Sequence, residues 1–107
     1  MARSARVQFP GAIYHVYFRG NGGQDIFYDE EDREYFMDRL RQTVNRYGWL
    51  VFVICLMTNH VHLLFQTPQA NLSAGMQFLL SAFASHVNRW HGFKGHLLQG
   101  RFGSQLV

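Results

Sequence analysis

At 107 residues the chain is long enough to bury one modest core and too short for two independent ones. Hydrophobic residues make up 48% and aromatics 16%, which excludes a disordered chain and suits a sheet with helices packed on it. The formal net charge is +3, yet all seven acidic residues lie between Asp25 and Asp38, and only Arg33 of the ten Lys and Arg shares that window. Such asymmetry allows one surface to be positive and suits a polyanionic partner; ordinary solubility charge is the plainer alternative.

The first six residues have no apolar segment of signal-peptide type behind them. The longest apolar stretch, residues 50–57, is far short of a membrane span. Cys55 is the only cysteine, so no internal disulfide can form. It reads as a buried core thiol, and the cytoplasm is the simplest compartment.

In chain order, residues 1–11 form an arm carrying Arg3 and Arg6 that ends at Pro10-Gly11. Residues 12–19 alternate: Ala12, Tyr14, Val16 and Phe18 on one face, Ile13, His15, Tyr17 and Arg19 on the other. Gly20-Asn21-Gly22-Gly23 is a loop whose amides and Asn21 can approach a phosphate closely. Asp29 begins a helix whose first turn is acidic, as the helix dipole favours. Phe36, Leu40, Val44 and Tyr47 repeat at helical spacing, and Gly48 stops it. The acids therefore read as a solvated N-terminal turn.

Residues 50–67, LVFVICLMTNHVHLLFQT, read as two apolar strands joined by a turn at Met57-Thr58-Asn59. His60, His62 and Leu64 then share one face of the returning strand. Two positions along a strand are roughly 6.6 Å apart, so two imidazoles can lean onto one cation. Partnered core histidines are the plainer alternative. After Pro68, Asn71 is placed to cap a second helix, with Leu72, Met76, Leu79, Leu80, Phe83, Val87 and Trp90 as its apolar stripe and Gly92 as its stop. His86 and His91 read as helix-surface or cap residues. A last strand falls within residues 97–107.

This order predicts an α+β fold: a ferredoxin-like βαββαβ unit spanning 1–107, with an antiparallel sheet and two helices on one face. The first and third strands are then central neighbours. Their open face carries His15, Tyr17, Arg19, His60 and His62. Two separately read alternations predict the same polar surface.

The blocks PGAIYHVYFRGN, IFYDEEDREYF, LMTNHVHLLFQTP and NRWHGFKGHLLQGRF, in this order, resemble the REP-associated tyrosine transposases of the HUH single-tyrosine class. Asn59-His60-Val61-His62 matches the HUH motif. The resemblance implies a transposase: metal-dependent cleavage and transfer of single-stranded DNA through a 5′-phosphotyrosine intermediate. It implies Mg²⁺ or Mn²⁺ held by His60 and His62, and a single-stranded or hairpin DNA partner. Arg3, Arg6, Arg19, Asn21, Asn59, Arg89, Lys94 and Arg101 are the candidate DNA contacts.

The chain departs from the family in one respect. The nucleophilic tyrosine of the class lies on a helix after the last strand, and the five tyrosines here, Tyr14, Tyr17, Tyr28, Tyr35 and Tyr47, all precede it. Only Tyr17 falls on the proposed active face, as a weak fallback nucleophile or a base-stacking residue. The expectation is a domain that binds DNA without cleaving it. The competing class is a non-catalytic single-strand-binding module or regulator. Nucleotide hydrolases with alternating histidines need a third one where Leu64 stands. Dimerisation is left open.

Overall fold

The computed structural model describes residues 7–107. Four strands, β1 (Ala12–Arg19), β2 (Leu50–Leu56), β3 (His60–Thr67) and β4 (Gly103–Leu106), alternate with α1 (Glu30–Tyr47) and α2 (Leu72–His91). They form one sheet in the order β2-β3-β1-β4, every neighbour antiparallel. This is the expected ferredoxin-like α+β arrangement, with β3 inserted between β1 and β2.

The β1–β3 pair is the centre of the sheet, running in register from Ala12 opposite Thr67 to Arg19 opposite His60. Side chains alternate across it. Ala12, Tyr14, Val16, Phe18, Val61, Leu63 and Phe65 are all buried against the helices. From α1 come Phe36 and Leu40, and from α2 come Leu72, Met76, Leu79, Phe83 and Val87. Phe27, Phe36 and Phe83 meet as an aromatic knot with centroids 5.2 to 5.8 Å apart. Each such ring, fully buried, contributes roughly 1.5–3 kcal/mol over leaving it in water.

Local signals fix the helix ends. Asp29 accepts from the Asp32 amide and Asp32 accepts from the Asp29 amide, a capping box at the start of α1. Gly48 and Gly92 end α1 and α2 in the left-handed conformation, at φ 72° and 71°.

Several expectations are corrected. Asn71 sits at the start of α2 but makes no side-chain cap. Its amide instead accepts from Trp49 Nε1 and donates to the Tyr47 carbonyl, both at 2.9 Å, joining the end of α1 to the indole. Trp90 is not core but 59% exposed, with its ring packed on His86 on the outer side of α2. The acidic turn is not wholly solvated, since Asp32 is fully buried. Cys55 is exposed rather than buried. It lies on edge strand β2, opposite His62, on the face without helices. Along this edge strand Leu50, Phe52 and Val53 are also half-exposed, and the pairing with β3 shifts register between Val51 and Val53. The last strand is only Gly103–Leu106. Leu97 turns into the core and Leu98 bridges Gly20 before it begins.

Candidate nucleic-acid interface

The central register that buries one face of β1 and β3 necessarily presents the other. Tyr17 lies opposite His62, and Arg19 opposite His60. His60 and His62 are edge to face, with ring centroids 5.1 Å apart. The His15 and His62 rings lie edge to edge within 13° of one plane, centroids 5.1 Å apart, with His15 Nε2 2.9 Å from His62 Nδ1. Tyr17 is 40% exposed beside both rings, 5.5 Å from His15 and 6.4 Å from His62.

Asn59 orders the other ring. Its Nδ2 donates to the Gly23 carbonyl, so Oδ1 is the atom that faces His60 Nδ1 at 2.7 Å. A carbonyl oxygen only accepts, so His60 donates there and keeps its Nε2 lone pair. Burial, and then the neighbouring His15 and His60, hold the His62 pKa below the ordinary imidazole value. The neutral form is the one that can donate a lone pair to a cation.

A groove of about 700 Å³ opens over these rings, lined by Tyr17, Arg19, Asn59, His60, His62, Gln99, Arg101 and Gly103. The segment after α2 is bound to β1 by its backbone. The Gln99 amide donates to the Arg19 carbonyl at 2.9 Å, and the Asn21 amide to the Leu97 carbonyl at 2.8 Å. That attachment brings Arg101 to the histidines from 39 positions away in sequence. Gln99 is a lining residue that the sequence did not single out; it fell within the stretch read as holding the last strand, with nothing local to show that it would dock beside Arg19. No carboxylate forms an ion pair with Arg19 or Arg101 among the described residues. Gly103 lets the Tyr17 ring lie close over β4, since a Cβ there would be 2.2 Å from the phenol ring as it is placed.

Not every candidate gathers here. Asn21 is exposed on the 3-10 turn Asn21–Gly23 bordering the site. Lys94 is exposed in the loop after α2. Arg89 donates to Ser85 Oγ and lines a cleft with Tyr35, His86 and Trp90 on the helical layer, away from the histidine face. Arg3 and Arg6 lie outside the described residues.

Of the tyrosines, only Tyr17 faces the groove. Tyr14 is buried and donates to the Val7 carbonyl. Tyr47 packs on Trp49 and Phe78, and Tyr35 stacks on His86. Tyr28 lies against His91 and Phe93. Burial, then Asp25 and Asp32, raise its pKa and disfavour the phenolate.

His86 and His91, read as helix-surface or cap residues, both reach the buried Asp32 at the start of α1. His91 Nε2 donates to Asp32 Oδ2 at 2.8 Å, alongside the Tyr28 and Asp29 amides. His86 Nε2 lies 3.3 Å from Asp32 Oδ1, in ion-pair range but outside hydrogen-bond geometry. Asp29, Asp32 and His91 bring ligand-type atoms within 4.8 Å of one another. Three donors already occupy Oδ2, so the cluster serves as a clamp between the start of α1 and the end of α2.

Fold and site together define a ferredoxin-like domain with a His-X-His pair on its open sheet face. Residues 8–105 match the IS200-like transposase family, and the chain belongs to that family. Among solved structures it is similar to a REP-associated tyrosine transposase bound to a REP hairpin, at TM-score 0.80 and 12% identity. That likeness covers 100% of this chain and 62% of the other, so the chain spans under two thirds of its length. It is also similar to a chain from Deinococcus radiodurans R1 assigned to the transposases, at TM-score 0.70 and 20% identity, covering 99% of this chain and 86% of that one. No curated protein matches it in sequence. No helix among the described residues is long and apolar enough to cross a membrane.

Proposed function

We propose that the histidine face binds a divalent metal ion and single-stranded or hairpin DNA, as the DNA-handling surface of a single-tyrosine transposase. The observation that carries this reading is the pair His60 and His62, side by side in a groove rimmed by Arg19 and Arg101 and free of carboxylates. The donor set fits a metal, because His60 Nε2 is left unprotonated by the Asn59 contact and His62 favours its neutral form. Imidazole nitrogens without a carboxylate suit Mn²⁺ better than Mg²⁺, which prefers oxygen ligands. A cation held there would stabilise charge on the scissile phosphate's oxygens. Arg19 and Arg101 would hold flanking phosphates, Asn59 would keep His60 oriented, and Tyr17 would stack on a base. The solved relative carrying a REP hairpin supports a folded single strand as partner.

Cleavage through a phosphotyrosine needs a tyrosine at the metal. Four of the five are on the helical side or in the core, and we assign Tyr17 to stacking. The 107-residue chain is accordingly expected to bind DNA without forming a covalent adduct. The test is hairpin-bearing single-stranded DNA titrated with protein by fluorescence anisotropy, with Mn²⁺ or with chelator, followed by a denaturing gel. Mn²⁺ should tighten binding, and His60→Ala with His62→Ala should remove that gain. Binding indifferent to both would favour a metal-free binding module. A covalent band would overturn the assignment of Tyr17.

Arg19→Ala and Arg101→Ala should each weaken binding at low salt. Each should also flatten the slope of log affinity against log salt by about 0.7, the value for one phosphate contact on a single strand. An unchanged slope would remove that arginine from the interface.

A further inference from the structure

We infer that His15 is a positioning residue for His62: its Nε2 accepts the Nδ1–H of His62 and thereby keeps His62 Nε2 free to face the groove. The inference rests on the metal reading above and deepens it. One proton lies between two nitrogens 2.9 Å apart, and two arrangements are available. If His15 donated, a neutral His62 would have to carry its own proton on Nε2, and that atom could not bind a cation. If His62 donates, its Nε2 lone pair is exposed on the side of the ring away from His15.

The neighbouring ring shows which arrangement this face is built for. His60 is held through Nδ1 by an oxygen that can only accept, with the Asn59 amide locked in that orientation by the Gly23 carbonyl. Both rings of the His-X-His pair are then gripped at Nδ1 from β1 or the turn and present Nε2 outward. The two rings lie edge to edge within 13° of one plane, the geometry of an in-plane N–H···N hydrogen bond, so orientation and tautomer are set by one contact. His15 is itself only half-buried, and among the described residues no other side-chain hydrogen bond holds its ring. Partners that orient a metal-binding histidine in this way typically govern affinity by roughly 10–100-fold.

The experiment is ¹⁵N NMR of the histidine rings in the metal-free 107-residue chain at neutral pH, with Mn²⁺ affinity measured by calorimetry on the same samples. In the wild type His62 should carry its proton on Nδ1 and His15 on its own Nδ1. His15→Phe keeps an aromatic ring at this position but removes the acceptor. It should release His62 toward the Nε2–H form and weaken Mn²⁺ binding roughly 10–100-fold. His15→Gln, whose side-chain oxygen can accept, should recover much of both. Wild-type His62 protonated on Nε2 would overturn the inference, as would a Mn²⁺ affinity that His15→Phe leaves unchanged. The tautomer reading on the wild type needs no variant to fold. If His62 is Nδ1-protonated but no Mn²⁺ binds, the metal reading fails and the His15 contact stands.

Discussion

Alanine at position 75 is expected to destabilise the domain by about 2–3 kcal/mol and lower its melting temperature by roughly 10 °C or more. At an open helix position the same change would stabilise by about 1 kcal/mol, because alanine is the better helix former. Here the packing dictates the opposite sign. A Cβ on Gly75 would lie 2.1 Å from Trp49 Cζ2, with two more indole carbons inside 3.0 Å. The indole has nowhere to retreat. It is 2% exposed, stacked on Phe65 at 4.2 Å and 12°, and bonded through Nε1 to Asn71. Relief requires α2 to lift off β3 or the indole to give up its hydrogen bond. Urea unfolding and a thermal melt of Gly75→Ala check this, and a melting temperature at or above wild type would show that the contact yields cheaply.

Asp32→Ala is expected to cost about 3 kcal/mol. The capping interaction alone is worth about 1 kcal/mol, and donors stranded in the interior add roughly 1–3 kcal/mol. The stranded groups are the Tyr28 and Asp29 amides and His91 Nε2, all of which now point at one buried oxygen. Asp32→Asn keeps an acceptor oxygen and should recover part of that loss. Equilibrium unfolding in urea separates the two variants. A loss below about 1 kcal/mol for Asp32→Ala would mean the turn behaves as the solvated acidic cluster its sequence suggests.

What was legible from sequence follows from period and punctuation. The alternation of residues 12–19 and 60–67 placed His15, Tyr17, Arg19, His60 and His62 on one face, because period-2 patterning is a local property. Asp29, Gly48 and Gly92 marked helix ends for the same reason. The β2 run was read less well. Seven apolar residues in a row look alike whether covered on two sides or left at an edge, so Cys55 was assigned to the core. The Asp32–His91 contact joins residues 59 apart, and it exists only because the start of α1 meets the end of α2. Gln99 and Arg101 reach the groove through a backbone bond to Arg19, which no side-chain pattern announces. Likewise, alternation could place His15 and His62 on a common face but could not show that they touch.

The exposed thiol on β2 has a practical use. Cys55 sits across the strand pair from His62, and it is the chain's only sulfhydryl. A maleimide dye or spin label attached there needs no engineered cysteine and no removal of competing ones. Its emission or mobility should report occupancy next to the histidines, so the unmodified polypeptide already contains the address for its own sensor.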